Sequence, residues 1–248
     1  MKSPKHFLSV VVPIFQQEKT IIEDIYHIIS TLDQIRYDYE IIAVVDGTTS
    51  DRSFQRLKKI KSRRLIVTGY LHNQGKGYAL KFGMKLAKGD YVAFIDSGMD
   101  IDPNGISMVL EHMEWYRADA IVASKRHPAS QIIYPTHRRI ISLAAQIYSR
   151  LFLGIKVTDT QAGLKIFRRQ MLRRVLPRLL IKSFAFDLEI LAVANHLGYK
   201  RIYEAPVKIN YDFSGSHLQN KLLLNLYRSG VDALAIFYRL RILRYYDR

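Results

Sequence analysis

Residues 73–98 read NQGKGYALKFGMKLAKGDYVAFIDSG, and this stretch decides the fold. Gly75 and Gly77 open a helix over residues 75–87, in which Leu80, Met84 and Ala87 recur at the spacing of one buried face. After Gly89 the pattern changes to an unbroken apolar run, YVAFI, closed by Asp96. Such a run reads as a strand covered on both faces, which places it in a parallel sheet between two helical layers.

The same unit recurs on either side. Residues 7–13 (FLSVVVP), 39–46 (YEIIAVVD, ending in Asp46) and 65–68 read as further strands, and 120–124 as a fifth. Thr20 with Glu23 has the form of a capping box before Ile21, Ile22, Ile25, Ile28, Ile29 and Leu32 at helical spacing. Ser50 reads as the cap of a short basic helix to about residue 60, and Asp102 as an N-cap before Pro103. Beyond residue 125 the pattern is more helical. Residues 218–244 form a long amphipathic helix or a broken pair, whose Leu, Tyr, Phe and Arg content suits a membrane surface or this protein's own core. The expected architecture is α/β: a mostly parallel central sheet with helices on both faces. Ligands of such sheets bind at the carboxyl ends of the strands, where Pro13, Asp46 and Asp96 fall. The expected organisation is one domain over residues 1–217, with halves meeting at 124/125, and a C-terminal amphipathic segment over 218–248.

Composition excludes several chemistries. With no cysteine in 248 residues, disulfide scaffolds, Cys-ligated zinc, iron–sulfur clusters and thiol nucleophiles are impossible. The net charge of +16 calls for an anionic partner, and it is concentrated. Residues 1–124 hold 16 basic and 15 acidic side chains, whereas 125–182 hold 13 basic and one acidic, Asp159. No run of 18 apolar residues suggests a transmembrane helix, and the first residues lack the apolar core of a signal peptide. The expected location is cytoplasmic, peripheral on the inner face of a membrane.

Three groups of residues carry candidate chemistry. Asp46 and Asp96 end two strands, should converge in the crevice, and can hold a divalent metal or accept hydrogen bonds from a sugar or base. Asp96, Asp100 and Asp102 lie within seven residues, and such crowded carboxylates call for a cation, Mg²⁺ or Mn²⁺. The Gly75-Lys76-Gly77 turn can present backbone N–H groups and an ammonium to phosphate. Lys125-Arg126 after a strand and Arg138-Arg139 at a helix start suit an anionic acceptor or a diphosphate. Asp187 reads as a helix N-cap.

Taken in order, VVPIFQQE, EIIAVVDG, the stretch at 73–98, DTQAGLKIF and FAFDLEIL resemble a family 2 glycosyltransferase of GT-A fold, of the polyprenyl-phosphate, dolichyl-phosphate glucosyltransferase type. That resemblance implies an inverting transfer of sugar from a nucleotide diphosphate sugar to a polyprenyl phosphate at an anionic membrane surface, with no nucleic-acid partner. It implies that Pro13, Phe15, Glu18, Asp46, Gly75, Lys76, Gly77 and Asp96 line the nucleotide-sugar site, with Asp96 and Asp100 on a metal. It further implies Lys125, Arg126, Arg138, Arg139, Gln161 and Lys165 on the acceptor phosphate, and Asp96 with Asp187 and Glu189 of a late acidic motif as catalytic residues. Two positions depart from the family pattern. Val45 replaces the first of two strand-end Asp residues, and Gly98 stands at the second Asp of Asp-x-Asp. Rival readings are a glycosyltransferase with a hydroxyl acceptor, for which Asp187 or Glu189 acts as general base, a nucleotidyltransferase, and a basic nucleic-acid binder.

Overall fold

The computed structural model describes residues 6–98, 101–130, 146–208 and 222–247, with the backbone alone over 222–227. Asp100, Arg138 and Arg139 lie outside the described residues. Seven strands, β1 (Phe7–Ile14), β2 (Asp38–Asp46), β3 (Leu65–Tyr70), β4 (Tyr91–Ile95), β5 (Ala120–Ala123), β6 (Leu164–Arg168) and β7 (Ile202–Ala205), form one sheet. Their order is β3-β2-β1-β4-β6-β5-β7. The first four pair in parallel, β6 runs antiparallel to β4 and β5, and β7 is parallel to β5.

Successive strand residues point to opposite faces, so an unbroken apolar strand supplies two cores at once. Val11, Ile42, Val44, Val92 and Phe94 face one, and Val10, Val12, Ile41, Ala43, Ala93 and Ile95 the other. The second face is covered by α1 (Ile21–Leu32), α2 (Ser53–Leu57) and α4 (Gly105–Trp115) through Ile25, Ile28, Leu57, Val109 and Met113. The first is covered by α3 (Lys76–Leu86), α5 (residues 146–153), α6 (Arg169–Val175), α7 (Phe186–His196) and α8 (Leu222–Phe237). The chain continues as a π-helical turn, Tyr238–Ile242, and a last 3₁₀ turn, Tyr245–Asp247, with Ile236, Leu240 and Tyr246 buried in that core.

Three helix starts differ from the sequence expectation. Thr20 precedes α1, but its hydroxyl donates to Asp24 (3.0 Å) and caps no backbone N–H. At α2, Asp51 rather than Ser50 takes the Ser53 N–H (2.9 Å), which starts the helix three residues later. Asp102 accepts the Asn104 N–H (2.9 Å) in a turn that precedes α4 instead of capping it. The sequence reading also missed β6, because Lys165 interrupts its apolar run; a buried carboxylate accommodates that lysine, as described below.

Asp24 is a local liability of α1. Burial is the main force that raises its carboxyl from 3.8 to about 6, partly opposed by the Thr20 hydroxyl. A folded pKa above the unfolded one contributes stability that is present below pH 3.8 and lost as pH rises through about 6. Asp24→Asn is therefore expected to stabilise the protein at pH 7 by on the order of 1–3 kcal/mol. Thermal unfolding across pH 4–8 tests this: an unchanged slope in the variant would contradict it.

Candidate active site

The carboxyl ends of β2 and β4 converge on one turn, at residues 75–77. Asp46 ends β2 with its carboxylate buried. It accepts hydrogen bonds from Asn73 Nδ2 (2.9 Å) and from the backbone N–H groups of Gln74 (2.7 Å) and Gly75 (2.9 Å). The acid folds the loop that leads into α3. Gly75 adopts φ +99°, and a Cβ there would lie 2.5 Å from the Lys182 carbonyl oxygen; a Cβ at Gly77 would meet Phe186 and Ser183 at 2.5 and 2.7 Å. The glycines thus let residues 182–186 lie directly against the turn. The Gly77 and Tyr78 N–H groups both donate to the Lys182 carbonyl (2.9 and 3.2 Å). The phosphate-binding amides expected at residues 75 and 77 are therefore engaged inside the protein, and the turn offers a ligand the Lys76 side chain.

Lys76 is the centre of a charged row. Its Nζ donates to Asp96 Oδ2 (2.8 Å), lies 2.7 Å from Asp96 Oδ1, and stands 3.9 Å from Asp187 Oδ2. Asp187 Oδ1 in turn accepts from Lys165 Nζ (2.6 Å), which also donates to the Ala162 carbonyl (2.7 Å). The row Asp96–Lys76–Asp187–Lys165 alternates in sign and runs from a 37%-exposed carboxylate to a fully buried ammonium. Both ammonium groups lie over the Phe94 ring, at 5.7 and 5.0 Å from its centroid. Burial lowers the Lys165 pKa below the ordinary lysine value, and the Asp187 charge opposes that shift. Gly163 completes the wall: its carbonyl accepts the Asp96 N–H (3.0 Å), and a Cβ there would sit 2.6 Å from Asp96 Oδ2.

As an oxygen ligand for a divalent cation, Asp96 fits. It is a hard carboxylate, 37% exposed at the carboxyl end of β4, and both its oxygens lie within 2.8 Å of the Lys76 ammonium, a position that a cation would share. Gly98 adds no side-chain donor, and no group of three His, Asp or Glu gathers among the described residues.

The other expected residues distribute as follows. Pro13 is buried in β1, and its carbonyl accepts the Ser97 hydroxyl (2.9 Å). Ser97 also pairs with Gln17, which ties the loops after β1 and β4 together. Phe15 is exposed on that rim, while Glu18 Oε2 accepts the Arg52 N–H (3.0 Å). On the other side of Asp96, Lys125 and Arg126 are half-buried at the end of β5. Asp159 accepts the Lys125 N–H (3.0 Å), and Arg126 Nη1 donates to Gln146 (2.6 Å). Gln161 is exposed between them and Gly163.

Two expectations need correction. Lys165 is fully buried and touches Asp187, so it props the site from beneath instead of meeting an acceptor phosphate. Glu189 points away from the cluster: it accepts N–H groups of Leu180 and Ile181 and the Tyr246 hydroxyl. The i, i+2 spacing of Asp187 and Glu189 on α7 forces this, since residues two apart on a helix do not share a face. Sequence reading missed Phe184, a half-exposed ring 6.0 Å from Lys76 Nζ. Its only sequence signal is its place as the first residue of FAFDLEIL.

Residues 9–176 match the family described as Glycosyl transferase family 2. Among curated proteins, the chain is 26% identical over 227 residues to a dolichyl-phosphate beta-glucosyltransferase of Dictyostelium discoideum, covering 86% of this chain and 68% of that protein. It is 28% identical over 232 residues to the human protein of the same name, covering 87% of this chain and 71% of that one. An undecaprenyl-phosphate mannosyltransferase of Micrococcus luteus is 31% identical over 136 residues, covering 54% of this chain and 55% of that protein. Among solved structures, glucosyl-3-phosphoglycerate synthase from Mycobacterium tuberculosis in complex with UDP superposes with a TM-score of 0.71 at 18% identity, covering 94% of this chain and 80% of that one. The same synthase crystallised with Mn²⁺, UDP-glucose and phosphoglyceric acid gives 0.68 at 19% identity, with the same coverage. These likenesses agree with the expected GT-A fold. The family match spans more than half of the chain, whose charged row stands at the carboxyl ends of its parallel strands: the protein belongs to glycosyltransferase family 2 and is a glycosyltransferase.

Proposed function

We propose that the chain transfers a sugar, with inversion, from a nucleotide diphosphate sugar to a polyprenyl phosphate. An acceptor-phosphate oxygen forms the new bond to the sugar C1 as the bond from C1 to the donor diphosphate breaks, and the nucleoside diphosphate leaves. The observation that carries this reading is the engagement of the late acidic motif. A hydroxyl acceptor needs a general base to take its proton, the role that the rival reading gives to Asp187 or Glu189. Asp187 is held between two ammonium groups and Glu189 is buried away from the crevice. A phosphate is already anionic at neutral pH and needs no such base. It needs positioning and charge neutralisation, for which Lys76, Lys125 and Arg126 stand on either side of Asp96.

Asp96 is the residue that would hold Mg²⁺ or Mn²⁺, and the ion when bound neutralises charge on the leaving diphosphate. Lys76 must share Asp96 with it. Pro13, Phe15, Glu18, Asp46 and the turn at residues 75–77 frame the donor side. The basic band at residues 125–182 has an anionic membrane as its natural counterpart, each lysine or arginine near such a surface contributing about 1 kcal/mol. No helix among the described residues is long and apolar enough to cross a membrane; the proposal has the domain dock on the cytoplasmic face through the basic band.

The test is transfer of labelled sugar from a panel of UDP-glucose, UDP-N-acetylglucosamine and GDP-mannose, with Mn²⁺ or Mg²⁺. Acceptors are a polyprenyl phosphate and the same polyprenol without phosphate. Product is expected with the phosphate alone. Equal transfer to the free alcohol would reject the reading.

A further inference from the structure

The carboxylate of Glu189 is completely buried, yet its hydrogen bonds run to two separated parts of the chain. Oε1 and Oε2 accept the Leu180 N–H (3.1 and 3.0 Å), Oε2 accepts the Ile181 N–H (2.9 Å), and Oε1 accepts the Tyr246 hydroxyl (2.7 Å). Arg239 Nη1 lies 4.0 Å away. Residues 180–182 form no helix or strand; these bonds, with the Lys81 Nζ bond to the Leu179 carbonyl (2.5 Å) and the burial of Leu179 and Ile181, fix their path. The next carbonyl, that of Lys182, takes the Gly77 and Tyr78 N–H groups, and Lys182 Nζ reaches Gln74 (3.2 Å). Gly75 and Gly77 admit no Cβ because this segment is so close.

We infer that Glu189 is a positioning residue of the donor site. It holds residues 180–182 against the turn at residues 75–77, and this sets Lys76 between Asp96 and Asp187. Tyr246, in the last turn described, completes the bracket, so the C-terminal segment forms part of the frame of the donor site. This rests on the proposed assignment of that turn to the nucleotide-sugar site. The mechanical link is a continuous series of contacts: Tyr246 hydroxyl, Glu189 carboxylate, Leu180 and Ile181 amides, Lys182 carbonyl, Gly77 amide. A change at Tyr246 therefore reaches Lys76 without touching any ligand.

Hydrogen exchange of the full chain tests the link independently of activity. Glu189→Gln keeps the side-chain volume but removes the charge and leaves one accepting oxygen where the carboxylate has two. Tyr246→Phe removes one hydroxyl and guards against a Glu189 variant that fails to fold. Leu240→Ala, a buried apolar truncation in the same C-terminal segment, serves as the control for general loss of stability. Faster exchange is expected at residues 74–78 in both polar variants at a temperature where Leu240→Ala, with a similar fall in Tm, leaves these amides protected. UDP is the binding probe, and its Kd is expected to rise about five- to tenfold in Glu189→Gln, the size expected for one weakened hydrogen bond. Loosening confined to residues 179–186, or equal loosening of residues 74–78 in all three variants, would overturn the inference. A wild-type chain that binds neither UDP nor GDP would instead overturn the donor assignment under the proposed function, and the exchange pattern would still decide the bracket.

Discussion

Asp96→Asn is expected to lower kcat by about 10²–10³-fold, the usual cost of removing one preorganised charge from a transition-state site, while the fold survives. The carboxylate is 37% exposed and at the end of β4, so its loss leaves the two cores untouched. It removes the partner that holds Lys76 at 2.7 and 2.8 Å, and the oxygen donor proposed for the cation. Lys76 keeps Asp187 at 3.9 Å and is expected to turn toward it. The measurement is steady-state turnover with a saturating donor, beside a thermal melt. Activity within threefold of the wild type would remove Asp96 from the site. The asparagine is preferable to alanine here because it keeps the volume packed against Gly163.

Asp187→Asn is expected to produce the largest loss of stability. It leaves the fully buried Lys165 ammonium without its anion at 2.6 Å, and breaking one side of a buried pair typically costs about 3–5 kcal/mol. At roughly 2–4 °C per kcal/mol for a chain of this size, the melting temperature should fall by about 10 °C. Lys165→Met/Asp187→Leu should recover much of it, because a packed apolar pair has no charge to desolvate. The pH dependence adds a second signature. Lys165 already has a folded pKa below the ordinary lysine value, and removing Asp187 lowers it further. The folded variant then binds fewer protons than its unfolded chain, so its stability is lower at neutral pH and rises as pH climbs toward the ordinary lysine pKa of about 10.4. Denaturant unfolding at pH 7 and pH 9.5 tests this. A loss below about 1 kcal/mol, or a gap from the wild type that does not narrow at the higher pH, would show that Asp187 and Lys165 do not act as a buried pair.

How much was legible can be read from single elements. β1, β2 and β4 were evident because strands buried on both faces are apolar at nearly every position (Ser9 and Glu40, bonded to each other, are the exceptions inside them), and the helices between them follow a 3.6-residue spacing. The strand-end acids Asp46 and Asp96 were legible for the same reason: an abrupt polar residue after such a run marks the carboxyl edge. β6 escaped because the alternation signal assumes that a lysine is outside, whereas Lys165 is inside and balanced by a residue 22 positions later. Asp187 and Glu189 looked equivalent in sequence, yet a helix turns them to different neighbours, one to Lys76 and Lys165, the other to residues 180–181 and Tyr246.

By itself, the sequence determined the α/β class, the strand edge that carries the chemistry, the absence of thiol chemistry and the concentration of positive charge in one band. These follow from local periodicity and composition, which need no knowledge of distant partners. Only the tertiary structure decided which ions pair with which, that the amides at Gly75 and Gly77 are already engaged by Asp46 and Lys182, and that Glu189 is a bracket rather than a base. Those outcomes depend on contacts between residues tens to more than one hundred positions apart. In such contacts burial, not residue type, sets what a charge can do.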